Sequence, residues 1–80
     1  MQKIEHLFGI AVRQRRQQLG LSQEDFADKA GIHRTYVSSI ELGKVQVSIG
    51  IAAQLAEALE IPLSKIWREI EREQSAETEG

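Results

Sequence analysis

The sequence has no cysteine, no long apolar run and no excess of basic residues, and each absence narrows the possible functions. Without cysteine, neither disulfide bonds nor thiolate chemistry are available, which fits a reducing cytoplasm. No apolar run approaches the ~20 residues that a membrane-spanning helix needs. Residues 1–16 have charges on both sides of their apolar positions and no cleavage site, so we expect a helix of the mature protein. We therefore predict a cytoplasmic protein that does not bind membranes.

The net charge of −2 hides an uneven distribution along the chain. Residues 1–50 carry a balance of +2, whereas residues 51–80 carry a balance of −4. A nucleic acid responds to the local field of the face that it meets rather than to the total charge. The acidic total therefore does not exclude DNA binding by the first half of the chain.

Catalytic and metal-binding patterns are also lacking. There is no glycine-rich phosphate loop and no serine or cysteine nucleophile with an identifiable base, so we do not expect an enzyme. His6 and His33 are far apart in sequence and have no companion cysteine or carboxylate cluster, so neither a metal site nor a cofactor is predicted.

Apolar residues at helical spacing, interrupted by turn and cap residues, predict five helices and no strands. With 80 residues the chain is long enough for one small domain. From residue 73 the segment EQSAETEG has no apolar anchor, so we predict an all-α domain over residues 1–72 and a disordered acidic tail over residues 73–80. The residues that mark the predicted helix boundaries are Gly20, Ser22, Gly31, Gly43, Ser48 and Pro62.

The segment QEDFADKAGIHRTYVSSIELGK, residues 23–44, combines two short helices with a glycine-containing turn. It resembles the helix-turn-helix of the Cro and phage-repressor (XRE-like) DNA-binding family, and the resemblance extends from about residue 8 to residue 67. The stretch HRTYVSSIE is most similar to the controller proteins that regulate restriction–modification operons. The resemblance implies a compact, five-helix, lambda-repressor-like DNA-binding domain. Its motif positions are Gln23, Ala27, Gly31, Val37, Ile40, Glu41 and Gly43.

The resemblance implies that the second helix of the motif, around residues 33–42, enters the major groove. Arg34 has the forked shape that binds guanine O6 and N7 with two hydrogen bonds, although a solvated helix charge is the alternative reading. Thr35 can offer a methyl group to thymine or its hydroxyl to a base or phosphate. Ser38 and Ser39 fit base contacts and ordinary surface positions equally well. The predicted base-contacting residues are Arg34, Thr35, Ser38 and Ser39.

The resemblance also implies contacts to the DNA backbone and a structural ion pair. Arg16 and Glu41 stand where the family forms a partly buried ion pair between the first and third helices. Leu42 replaces a commonly polar or basic residue, and the loop KVQV is less basic than usual, so we expect a weak grip by one subunit and a reliance on dimerisation. The predicted phosphate-contacting residues are Gln23, His33, Tyr36 and Lys44, of which Tyr36 can instead cover the edge of the motif.

The fifth helix carries more apolar residues than a terminal helix needs. We expect Trp67 and Ile70 to lie near the surface and to join Ile66 and Ile49 in a homodimer interface, because exposed aromatic and aliphatic patches are typical of interfaces. The alternative is that Trp67 closes the core of the monomer.

These observations predict a transcriptional regulator that binds a pseudo-palindromic double-stranded DNA operator as a homodimer, with RNA polymerase as a further candidate partner. The alternative is a protein-interaction module of the same fold, an antitoxin or adaptor with weak DNA binding. This alternative is suggested by the acidic second half of the chain and by the apolar residues Leu42 and Val45, which stand where basic residues were expected.

Overall fold

The computed structural model describes residues 3–79 of the chain, with side-chain burial through residue 76. Within those residues there are five helices and no strand, which confirms the predicted all-α fold. The helices are α1 (Ile4–Gln18), α2 (Gln23–Ala30), α3 (Arg34–Glu41), α4 (Ile49–Ala58) and α5 (Leu63–Glu79).

The short helices begin and end at the residues that the sequence marks. The Ser22 hydroxyl accepts the Asp25 N–H at 3.0 Å, and the Ser48 hydroxyl accepts the Ile51 N–H at 3.1 Å, so each serine satisfies a backbone donor at a helix start. Gly31 ends α2 with φ of 72°, a left-handed conformation that glycine adopts without a steric penalty. These residues set the two ends of α2 and the start of α4.

The core lies where all five helices meet. Helix α1 packs against α3 and α5, α2 packs against α3 and α4, and α4 packs against α5. Phe26 supplies the largest fully buried side chain, and at least one residue of every helix is buried beside it. The other large, fully buried side chains of this core are Val12, Val37, Ile40, Leu55, Leu59, Ile66 and Ile70.

Two glycines allow α1 to approach the end of α3 closely. A Cβ atom on Gly9 would lie 2.3 Å from the carbonyl oxygen of Ile40 and 2.7 Å from that of Glu41. A Cβ atom on Gly43 would lie 2.8 Å from the Cα of His6. Real Cβ atoms do not approach backbone atoms this closely, so any larger residue at Gly9 forces α1 and α3 apart.

Helix α5 differs from its prediction in two ways. Ile66 and Ile70 are only 2% and 1% exposed, so these two residues belong to the core and the prediction that they form a dimer interface is wrong. The four-residue spacing between them keeps both on the face that packs against α1 and α4. The helix also continues through Glu79, where a disordered tail from residue 73 was predicted, because the Glu, Gln and Ala residues of this segment are good helix formers. Residue 80 lies outside the described residues.

The end of α4 is held by charged side chains from α1 and α2. Arg15 Nε donates to the carbonyl oxygen of Leu59 at 3.0 Å, at the point where the helix leaves its last carbonyls without internal partners. Glu60 follows with φ of 60° and pairs with Lys29. The hydrogen bond and the charge of Lys29 lower the pKa of the Glu60 carboxyl, with a smaller contribution from Arg15. Arg15 of α1 thus has a structural contact with the end of α4.

Candidate nucleic-acid interface

Helices α2 and α3 form a helix-turn-helix unit with a tight turn. The Gly31 N–H donates to Asp28 and the Ile32 N–H donates to Ala27, at 3.3 and 3.0 Å, so the last carbonyls of α2 are satisfied within the turn. Ile32 packs against the core, and α3 begins two residues later. Few conformations of such a short connection are possible, so α3 is held at a fixed angle to α2.

Helix α3 has one buried face and one polar face. Val37 and Ile40 are buried, and Tyr36 packs against the core while remaining partly accessible. On the other side Arg34 and Thr35 are exposed at the first turn of the helix. The predicted base-contacting residues Ser38 and Ser39 are half-buried on the same helix. The accessible polar groups are thus richest at the N-terminal end of α3.

His33 caps α3 with its imidazole ring. The Thr35 N–H donates to His33 Nδ1 at 3.3 Å, so the ring supplies the acceptor that serine or aspartate more commonly supplies at this position. Because Nδ1 accepts, the neutral ring carries its proton on Nε2. The exposed His33 side chain can therefore donate one hydrogen bond away from the helix.

The predicted ion pair between Arg16 and Glu41 is formed at the junction of α1 and α3. Arg16 Nε donates to Glu41 Oε2 at 2.6 Å, and Nη2 donates to Oε1 at 3.0 Å, a two-pronged arrangement. The side chains are only 11% and 3% exposed. Arg16 Nη1 also donates to the carbonyl oxygen of Leu21 at 2.8 Å, which fixes the loop before α2. The pair therefore joins α1, α3 and the entry to α2.

Gln23, the first residue of α2, is attached to the same ion pair. Its Nε2 donates to Glu41 Oε1 at 3.1 Å, and the side chain remains partly accessible. Lys44 is exposed just beyond Gly43 at the other end of the motif. The neighbouring Leu42 is 55% exposed, so a large apolar side chain stands where the resemblance implies a polar or basic one. Positive charge on this surface thus comes from Arg34 and Lys44 at opposite ends of α3, while Glu41 is neutralised by Arg16.

A second surface feature is an apolar groove of about 680 Å³ between α1, the α3–α4 loop and α5. Ile49 and Trp67, both predicted in the dimer interface, line it and are 83% and 48% exposed. Gln46 Nε2 donates to Glu5 Oε2 at 3.2 Å across one edge. The apolar residues lining this groove are Ile4, Phe8, Val45, Val47, Ile49, Ala52, Leu63 and Trp67.

Sequence patterns missed part of this surface. Val45 and Val47 alternate with Lys44, Gln46 and Ser48 in the loop between α3 and α4. Because this loop is not a strand, the alternation did not predict that both valines line a surface groove. The bond between Gln23 and Glu41 was also missed, because the two residues belong to different helices and no spacing along one helix relates them.

The described residues contain neither a metal-binding cluster nor a membrane-spanning helix. Between residues 3 and 79 no three His, Asp or Glu side chains are grouped so that they could hold a metal ion. In the same range no helix combines the length and the apolar character needed to cross a bilayer.

The fold and the two-helix motif define a class of protein, and comparison with known sequences gives the same class. Residues 12–66 match the helix-turn-helix (HTH_3) family, and the chain belongs to this family of DNA-binding transcriptional regulators.

Several named proteins are similar to this chain in sequence or in structure. Control protein C.MunI from Mycoplasma sp is 39% identical over 74 residues, which span 91% of this chain and 100% of the relative. The crystal structure of the restriction–modification controller protein C.AhdI from Aeromonas hydrophila superposes with a TM-score of 0.73 at 38% identity, covering 82% of this chain and 94% of that one. The clp gene regulator ClgR from C. glutamicum shares the fold, with a TM-score of 0.86 at 22% identity, covering 91% and 95%.

Proposed function

We propose that this protein is a sequence-specific regulator that binds a pseudo-palindromic DNA operator as a homodimer and controls a restriction–modification operon. The observation that carries the proposal is the polarity of α3. Val37 and Ile40 anchor the helix, while Arg34 and Thr35 project from its N-terminal turn, the end that meets base edges when such a helix enters the major groove. The similarity to control proteins C.MunI and C.AhdI supports the operon type.

In this proposal Arg34 reads sequence and the residues around it fix the register. The Arg34 guanidinium would bind guanine O6 and N7, and Thr35 would contact a thymine methyl group or a phosphate. Ser38 and Ser39 are half-buried and short, so they would reach bases only where α3 lies deep in the groove. Backbone contacts are proposed for Gln23, His33, Tyr36 and Lys44, which flank α3 or begin α2.

The proposed dimer uses the apolar groove. Among residues 33–44, which span α3 and its ends, the exposed charged side chains are Arg34 and Lys44, so a single half-site would be held weakly. A second copy that covers Ile49 and Trp67 would remove a large apolar surface from water and hold two α3 helices about one DNA turn, ~34 Å, apart. Such a regulator would act in the cytoplasm, and RNA polymerase stays a predicted further partner.

Replacing Arg34 with alanine tests the proposed base contact. We expect Arg34→Ala to lose ~1–3 kcal/mol of discrimination at one base pair of each half-site, with the helical signal unchanged because the side chain is exposed. The matched control is Arg13→Ala, which removes an exposed arginine of α1 and should leave base preference intact. An equal loss of affinity for all sequences in Arg34→Ala would make Arg34 a phosphate contact instead.

The second candidate is an interaction module of the same fold. It is favoured by the open apolar groove and by the −4 balance of residues 51–80. A salt titration with random duplex separates the two functions. A DNA regulator should lose affinity steeply as salt rises, with a slope of ~0.9 per neutralised phosphate, whereas an interaction module should bind negligibly even at low salt.

A further inference from the structure

Side chains from two helices meet at a carboxylate on a third helix. Glu41, the last residue of α3, accepts two hydrogen bonds from Arg16 of α1 and one from Gln23 of α2. Its side chain is only 3% exposed, whereas that of Gln23 reaches the surface. The contact between Gln23 and Glu41 is therefore the point where a buried charged network meets the surface of the motif.

The network determines which way the Gln23 amide can face. A glutamine amide has two N–H donors and one carbonyl acceptor, and Glu41 Oε1 occupies one of the donors. The second N–H is then aimed by the planar geometry of the amide rather than by free rotation of the side chain. Gln23 is the first residue of α2, at the end of the helix where the dipole is positive.

We propose that Glu41, held by Arg16, is a positioning residue for DNA binding, because it orients the Gln23 amide so that its second N–H donates to a backbone phosphate. The inference rests on the proposed DNA-binding function and assigns the ion pair a role beyond stability. Arg16 is needed because an unpaired carboxylate this close to a phosphate would repel it. The pair thus supplies orientation without presenting negative charge to the DNA.

The size of the effect follows from the freedom that a surface glutamine loses on binding. Immobilising a long flexible side chain at an interface costs an amount of affinity that corresponds to about 2- to 10-fold. An amide that is already fixed in the free protein avoids that cost. Loss of orientation should therefore weaken each half-site by about this factor and equally on all DNA sequences, because a phosphate contact carries no base information.

A double-mutant cycle on DNA affinity tests the positioning role. The Arg16→Met, Glu41→Met double variant keeps the net charge and replaces a buried pair by apolar side chains, a change that proteins often tolerate. We expect this variant to bind specific and random duplex about 2- to 10-fold more weakly with an unchanged salt slope. Gln23→Ala should cost about tenfold in the wild-type background and clearly less in the double-variant background. Equal costs of Gln23→Ala in both backgrounds would overturn the proposal.

A second measurement needs no variant and covers the case in which the double variant fails to fold. The side-chain amide of Gln23 in the free protein should show an NMR order parameter close to the ~0.85 of rigid backbone. A value below ~0.6, typical of a freely moving side chain, would overturn the positioning role. The two proposals fail separately. If Gln23→Ala binds like wild type while Arg34→Ala still loses base preference, the inference fails and the DNA-binding function stands, whereas no binding to any duplex removes the function itself.

Discussion

Replacing Gly9 with alanine should destabilise the protein, although alanine is the better helix former. A Cβ atom at this position would lie 2.3 Å from the carbonyl oxygen of Ile40, about 1 Å short of ordinary contact. The obstructing atoms are backbone atoms of α3 and its neighbours, so no side-chain rotation relieves the overlap. Overpacking of this kind costs ~3 kcal/mol at the upper end of the usual range, against a gain of ~1 kcal/mol in helix propensity. We expect a net loss of ~2 kcal/mol.

Thermal unfolding followed by circular dichroism measures this loss, with Gly50→Ala as the matched control. Gly50 also lies within a helix, but its added Cβ would meet only the Ser48 hydroxyl at 3.8 Å, an ordinary contact. Gly50→Ala should therefore be neutral or more stable by up to ~1 kcal/mol. Gly9→Ala should melt ~10 °C lower than wild type, since 1 kcal/mol corresponds to ~4–8 °C in a domain of this size. A Gly9→Ala variant as stable as Gly50→Ala would refute the close approach of α1 to α3.

Three further perturbations test other parts of the structure. Arg16→Ala and Glu41→Ala should each cost ~3–5 kcal/mol, because each leaves a buried charge unpaired, and urea unfolding of the double variant should show less than the sum. Trp67→Glu should leave the helical signal intact and give monomers in sedimentation, whereas Ile70→Glu should unfold the chain because Ile70 is in the core; a dimeric Trp67→Glu would place the interface elsewhere. The pKa of the Glu60 carboxyl is lowered in the folded state, so its contribution to folding stability is complete above the ordinary carboxyl pKa and is lost as the pH falls through the lowered pKa. Replacing its partner Lys29 should therefore reduce the loss of thermal stability at acidic pH.

The helices could be predicted because their ends are encoded locally. Ser22 and Ser48 cap helices through bonds that span only three residues, and Gly31 ends α2 by its own left-handed conformation. The exposed turn of α3 followed from the same local reasoning, since Val37 and Ile40 fix which side of the helix faces inward. Local signals of this kind are independent of how the helices pack.

Features that depend on packing between helices were the ones that sequence patterns missed. An apolar stripe on α5 gives no measure of how deep each residue lies, and Ile70 is only 1% exposed on a helix that packs against both α1 and α4. The role of Gly9 depends on the distance between α1 and the end of α3, which no spacing along α1 encodes. In the same way, Glu41, the acceptor of the Gln23 amide, lies on another helix.

Selection of bound sites from a random pool of duplex oligonucleotides tests most directly whether α3 reads DNA sequence for a dimer. The proposed function predicts a palindromic consensus whose half-site centres lie one DNA turn apart, ~34 Å, with a position in each half-site that loses its preference in Arg34→Ala. Recovery of pools without any enriched sequence, at salt concentrations where the protein is folded, would contradict sequence-specific DNA binding.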